Sequence, residues 1–142
     1  MNTYIGTKIL QAIPMSRKEY NNERGWQLPA NENGDDPGFL VVYPDSASNT
    51  VKFQGYVSWS PKEQFEAAYI DLGNVGHFPA FHQRLIGEWA QLKTNVEKLG
   101  SFIKSPGFLA LSFPQRSKLE DQLRAMDWYK SILDWRVKSL KP

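Results

Sequence analysis

Residues suited to holding an anion gather in two places along the 142-residue chain. Phe78, Phe81, His82 and Arg84 fall together in "HFPAFHQRL", at the first turns of a helical apolar repeat. Arg124, one turn before Trp128, and Arg136 lie in a second such repeat. A helix start offers free N–H groups to an anion. Arginine adds bidentate recognition of phosphate, and an aromatic ring supplies a face on which a base stacks. Phe81, His82, Arg84, Arg124, Trp128 and Arg136 are therefore the candidate ligand-binding residues of this half. Plainer roles compete. Phe81 also opens a core stripe, where such a ring more often packs than binds, and Arg84 and Arg136 also suit a solvated surface or an interfacial ion pair.

Catalytic constellations are missing by comparison. The chain has no cysteine, which removes disulfides, thiol chemistry and cysteine-based zinc sites and fits a reducing compartment. His77 and His82 are the only imidazoles, five residues apart with no evident third metal ligand, and neither sits in the H-x-T/S setting of two-histidine phosphoesterases. Phosphate-loop, dinucleotide-binding, zinc-protease and nucleophile-elbow motifs do not occur. "SWSPKE", residues 58 to 63, holds two serines beside a lysine and a carboxylate. It reads as a helix start, with Ser60 as N-cap, Pro61 at the first helical position and Glu63 closing a capping box. The expectation is a binding protein that is not an enzyme and uses no cofactor.

Charge is uneven. Residues 1–75 carry six Lys/Arg against nine Asp/Glu, a balance of −3, while residues 76–142 carry eleven against six, a balance of +5. The second half is the better home for an anionic ligand, although a solvated helical surface has the same composition. No run approaches the roughly 20 apolar residues of a membrane span, and "MNTYIGTKIL" lacks the pattern of a secretion signal, so a soluble intracellular protein with no membrane partner is expected.

The elements that must position these residues change character near the middle of the chain. "TYIGTKILQAI" reads as a first strand ended by Pro14. "SRKEYNNERGW" reads as a short helix, with Ser16 as N-cap, Glu19 at capping-box spacing and Gly25 as the stop. "LPANENGDDPG" is a polar loop, "FLVVYP" a buried strand, "DSASNT" a turn, "VKFQGYVSW" one or two further strands, and "PKEQFEAAY" a helix with Phe65 and Tyr69 on one face. After the glycine-bearing linker "IDLGNVGHFP", Phe81, Leu85, Trp89, Leu92, Val96, Leu99 and Ile103 recur every three or four residues. "SPGF" interrupts, and a second stripe runs Leu119, Leu123, Met126, Tyr129, Leu133, Val137 and Leu140. The pattern gives an α+β chain: a β-rich module at 1–74 with a small antiparallel sheet and short helices, then a long antiparallel helical hairpin at 75–142. Trp128 and Trp135 flank the second stripe and leave more apolar surface than one partner helix covers. Self-association, together with the sheet, is the expected cover.

Longer stretches carry a family resemblance. "YIGTK", "EYNNERGW", "GFLVVYPD" and "GYVSWSPKEQFEAAY" resemble an N-terminal module of many phage proteins, which also occurs joined to other C-terminal domains. "HQRLIGEWAQLKTNVEKLGSFI" and "LEDQLRAMDWYKSILDWRVKSL" resemble a phage helical hairpin. The combination looks like the first Thoeris anti-defence family, whose hairpin is shared with the second anti-CBASS family. The resemblance implies a sponge acting in the host bacterial cytoplasm. Such a protein binds a cyclic ADP-ribose isomer made by a bacterial TIR enzyme and holds it without cleavage, so the downstream effector stays off. It also implies a homo-oligomer, a dimer or a hexamer built from dimers. Aromatic stacking and arginines at subunit interfaces would hold the ligand, and some members hold cyclic di- or trinucleotides at separate sites. Arg24 in "ERGW" matches the arginine of the N-terminal module and is its phosphate candidate. His82, Gln83 and Arg84 match the opening of the hairpin. The chain departs from the usual hairpin at Trp89, where lysine is common, and at Gly100, where asparagine is common.

Two other classes share these features. A nucleic-acid-binding phage accessory protein would use the basic half and lose affinity steeply with salt. An enzyme degrading a cyclic nucleotide would need a general base, for which His77 and His82 are the obvious residues.

Overall fold

The computed structural model describes residues 1–141. They fold as an α+β chain with two compact units, Met1–Tyr69 and a second that begins at Ile70. In the first unit, β1 (Gln11–Pro14) leads to α1 (Arg17–Arg24), β2 (Gly38–Tyr43), β3 (Tyr56–Pro61) and α2 (Lys62–Ala68). The three strands form an antiparallel sheet in the order β1-β2-β3.

The continuous apolar run of β2 is explained by its central place. Leu40 and Val42 pack with Tyr20 of α1 and Val57 of β3, while Phe39, pointing the other way, stacks on Phe65 of α2 at 4.3 Å. A strand covered on both faces has no polar alternation to show. The first helix is capped as its sequence dictates: Glu19 N donates to Ser16 Oγ at 3.3 Å, and Ser16 N donates to Glu19 Oε2 at 2.7 Å. Gly25 ends it at φ 68°, where glycine pays no Cβ penalty. A second glycine is forced by packing. Gly55 sits at φ 113°, and a Cβ there would lie 2.3 Å from the Tyr43 carbonyl oxygen.

Two sequence expectations change in this unit, the reach of the first strand and the role of Ser60. The first strand is confined to Gln11–Pro14, and residues 1–10 take no regular structure. Its partner sets that limit: Gln11 pairs with Val42, and β2 stops one residue later at Tyr43, before Pro44. Pro14 ends the strand, as expected, and is its last residue, paired with Phe39 as an edge position allows. Of residues 51–61, only Tyr56–Pro61 form a strand. Ahead of it, Asn49 imitates a strand partner, donating to Val57 O at 2.9 Å and accepting from Val57 N at 2.8 Å.

Ser60 is not a cap. It lies in β3 opposite Phe39, Pro61 takes the N-cap place without a side-chain bond, and α2 begins at Lys62. Pairing of Pro61 with Gly38 draws the strand two residues further than local capping would. Lys62 N then donates to Pro37 O at 3.0 Å, so tertiary structure supplies the acceptor.

The second unit is the helical hairpin. α3 (Ala80–Ile103) and α5 (Phe113–Lys138) run antiparallel and are joined by a short helix, α4 (Pro106–Leu109), within the "SPGF" break. Leu85, Leu92 and the fully buried Leu133 form the seam, with Trp89, Val96, Met126, Val137 and Leu140 packed on it. Phe108 of α4 is buried against the Phe102 ring, edge-on at 6.4 Å. α5 begins six residues before Leu119, because Ser112 and Gln115 make a capping box with Pro114 in the first turn. Glu120 and Asp121 lie inside the helix.

Candidate functional site

Antiparallel packing sets the first turns of α3 against the last turns of α5. A cavity of about 270 Å³ opens there, walled by Phe81, His82 and Leu85 on one side and Trp135, Arg136 and Leu140 on the other, with Ser139 at the same end. Leu85 is buried, and Leu140 packs on the core. Phe81 and Trp135 are largely exposed, at 61% and 72%, so both rings present a face to solvent.

His82 is held by its neighbours. Its ring meets Phe81 edge-on at 4.2 Å and Phe78 at 6.0 Å. The Gln83 side-chain amide donates to Phe78 O at 2.8 Å and ties the linker to the helix. Buried His82 Nδ1 has no hydrogen-bond partner among the described residues, a cost that a ligand donor or acceptor would relieve. Pro79 caps α3 without a side-chain bond, and since His82 N and Gln83 N donate to Pro79 O, the N–H groups of Ala80 and Phe81 are the ones open to an anion. Arg136 forms no ion pair with a carboxylate among the described residues, which leaves its guanidinium available. The end of the hairpin thus offers two stacking rings, one free guanidinium and an unsatisfied imidazole nitrogen.

What fixes this alignment is a polar bond across the helices. Trp89 Nε1 donates to Asp134 Oδ1 at 2.6 Å, Lys130 Nζ donates to Asp134 Oδ2 at 3.1 Å, and Lys93 Nζ lies 3.3 Å from the Trp89 ring centroid. The Trp89 hydrogen bond, then that of Lys130, holds the Asp134 carboxyl below its ordinary pKa. Trp89 and Asp134 lock the rotation of α5 against α3, and Trp135 and Arg136 follow directly in sequence.

Phe81, His82 and Arg136 come together in the cavity. Arg84 is exposed on α3 and does not line it. Arg124 pairs with Asp121, three turns earlier on α5 and roughly 18 Å along the axis from Arg136. Trp128 is exposed at 71% and lies outside the cavity, but it forms a surface stripe with Ile132 and Trp135 at i, i+4 and i+7. Arg24, in the first unit, stacks over the Trp26 ring at 4.3 Å and donates to Tyr20 Oη at 2.9 Å and Asn49 O at 3.4 Å. Trp135, Leu85, Ser139 and Leu140 were not among the candidates. The signal for them was the hairpin itself, since antiparallel helices bring residues near 81 against residues near 136.

Metal chemistry gains no support. Among the described residues, no three His, Asp or Glu side chains are grouped as metal ligands. His77 and His82 both contact Phe78 rather than sharing a ligand site. No helix among them is long and apolar enough to cross a membrane.

Comparison with known families adds one finding. The model of the Sequestin family matches residues 79–139, a span that contains α3, α4 and α5. The helical unit is thus similar to Sequestin, and the sheet unit lies outside the match. No curated protein and no solved structure matches the chain.

Proposed function

We propose that this protein sequesters a small nucleotide signal and does not transform it. One observation carries the reading: the cavity of Phe81, His82, Trp135 and Arg136 lies within the stretch similar to Sequestin, a name that speaks of holding a ligand. Phe81 and Trp135 would stack on adenine, Arg136 would grip a diphosphate, and His82 Nδ1 would meet a hydroxyl or phosphate. Stacking supplies about 1–3 kcal/mol per base, and a charge-assisted hydrogen bond about 1.5–3 kcal/mol. A few such contacts reach the roughly 12 kcal/mol of nanomolar binding.

The ligand we propose is a cyclic ADP-ribose isomer made by a bacterial TIR enzyme, captured in the host cytoplasm as a phage defence against Thoeris. Cyclic di- and trinucleotides are the next ligands in line. At about 270 Å³ the cavity is smaller than the roughly 300–1,000 Å³ that encloses a ligand of this class, so a second copy would complete it. The exposed Trp128, Ile132 and Trp135 stripe adjoins the cavity and supports a homo-oligomer.

The test is capture and release. The purified protein is mixed with the cyclic ADP-ribose isomer, freed of unbound ligand and heat-denatured, and the supernatant is analysed. Release of intact ligand at near one per site supports sequestration. Cleavage fragments would establish an enzyme instead, and absence of both ligand and fragments would remove this ligand from the proposal.

A further inference from the structure

The sheet unit holds a separate cavity of about 420 Å³ that sequestration by the hairpin leaves without a role. Its walls include Arg17 and Asn21 of α1, Trp26, Gln27 and Glu32 of the following loop, and Trp59 of β3. Flat groups dominate it. The Arg17 guanidinium carbon lies 4.4 Å from the Trp59 ring centroid, and Trp59 Nε1 is anchored to Met15 O at 2.8 Å. Trp26 stands edge-on to Tyr20 at 6.0 Å with 52% of its surface exposed, and the Arg24 guanidinium covers its ring at 4.3 Å.

The charges there are already matched. Arg17 Nη1 pairs with Glu32 at 3.4 Å, and Nε with Asp36 at 3.3 Å. With Nη1 and Nε turned to carboxylates, only Nη2 of Arg17 is left without a partner among the described residues, so Arg17 offers the cavity a flat cationic face more than a two-nitrogen fork for phosphate, and the Glu32 carboxylate opposes an anion. The uncommitted polar groups are carboxamides. Buried Asn21 donates from Nδ2 to Arg17 O at 2.8 Å, while its Oδ1 and the whole Gln27 side chain have no hydrogen-bond partner among the described residues. A carboxamide pairs a donor with an acceptor, as the edge of a heterocyclic base does.

We propose that this cavity binds an uncharged planar heteroaromatic ring of nucleobase type, stacked on Trp26 and the Arg17–Trp59 pair and read along its edge by Asn21 and Gln27. Its volume admits a base with its ribose. A saccharide would also lie on indole faces, and saccharide probes therefore enter the test beside the nucleosides. This site belongs to the sheet unit and stands or falls independently of capture by the hairpin.

Ligand-observed NMR on the full chain tests it, using adenosine, guanosine, cytidine, uridine, their 5′-monophosphates, and glucose and maltose as saccharide probes. Nucleosides are expected to bind, with the monophosphates binding no tighter. Trp26→Ala should weaken binding by about tenfold or more, the scale of a lost base–aromatic stack, and Trp26→Phe should restore most of it. Exposed Gln27→Ala should change the ranking of the four nucleosides while leaving thermal melting unmoved. The titrations are repeated in Trp135→Ala, which removes a stacking ring of the hairpin cavity; nucleoside binding that persists there and is lost on adding Trp26→Ala belongs to the sheet unit. No nucleoside signal at millimolar concentration would overturn the proposal. So would monophosphates binding tenfold tighter, preference for the saccharides, or full binding by Trp26→Ala and Gln27→Ala together.

Discussion

Arg136→Ala is the sharpest perturbation of the proposed capture site. Arg136 lines the cavity, is exposed, and has no carboxylate partner among the described residues, so its removal leaves no buried charge behind. On the protein side it forfeits only a favourable place in the last turn of α5, about 0.3–1 kcal/mol against the helix dipole. On the ligand side, one lost charge-assisted hydrogen bond costs about 1.5–3 kcal/mol, and a bidentate grip twice that. Affinity should therefore fall by about 10- to 100-fold for one bond and by 10²- to 10⁴-fold for two. Arg136→Lys keeps the charge but loses the fork, and should fall between. Calorimetric titration with the cyclic ADP-ribose isomer reads the loss, while thermal melting and sedimentation confirm fold and assembly. If Arg136→Ala binds within threefold of the parent and melts alike, the guanidinium does not hold the ligand and the cavity assignment fails.

Gly55→Ala should cost roughly 1–3 kcal/mol from the strained φ of 113° alone, with more from the Tyr43 carbonyl, and should lower the melting temperature of the sheet unit by several degrees; an unchanged melt would show that the β2–β3 connection relaxes. Asp134 gives a pH prediction. Its hydrogen bonds from Trp89 and Lys130 hold its folded pKa below the ordinary carboxylate value, so its stabilising effect is present above that ordinary value and is lost as pH falls through the folded one. Melting profiles between pH 2 and 6 should show a smaller acid-side loss in Trp89→Phe, which lacks the indole N–H, and parallel profiles would contradict that origin.

Particular residues show how far the sequence reached. Ser16, Glu19 and Gly25 fixed both ends of α1, because capping and the left-handed stop act within a few residues. The same rule misplaced Ser60, since pairing of β3 with β2 outweighed a local cap. Ser112 and Gln115 carry an equally local cap for α5, which starts six residues ahead of Leu119, where the apolar stripe begins. At the cavity, side-chain type and helix phase singled out Phe81, His82 and Arg136, yet gave Arg84, Arg124 and Trp128 equal standing.

By itself, then, the sequence determined that a small sheet precedes a helical hairpin, and that the hairpin carries cations and aromatic rings. Apolar periodicity and helix caps are local properties, written in residues close together along the chain. Only the tertiary structure decided that Trp135 and Arg136 face Phe81 and His82, which leaves Arg124 roughly 18 Å away along α5. That choice depends on the register between two helices, set by Leu133 in the seam and by the Trp89–Asp134 bond across 45 residues of chain.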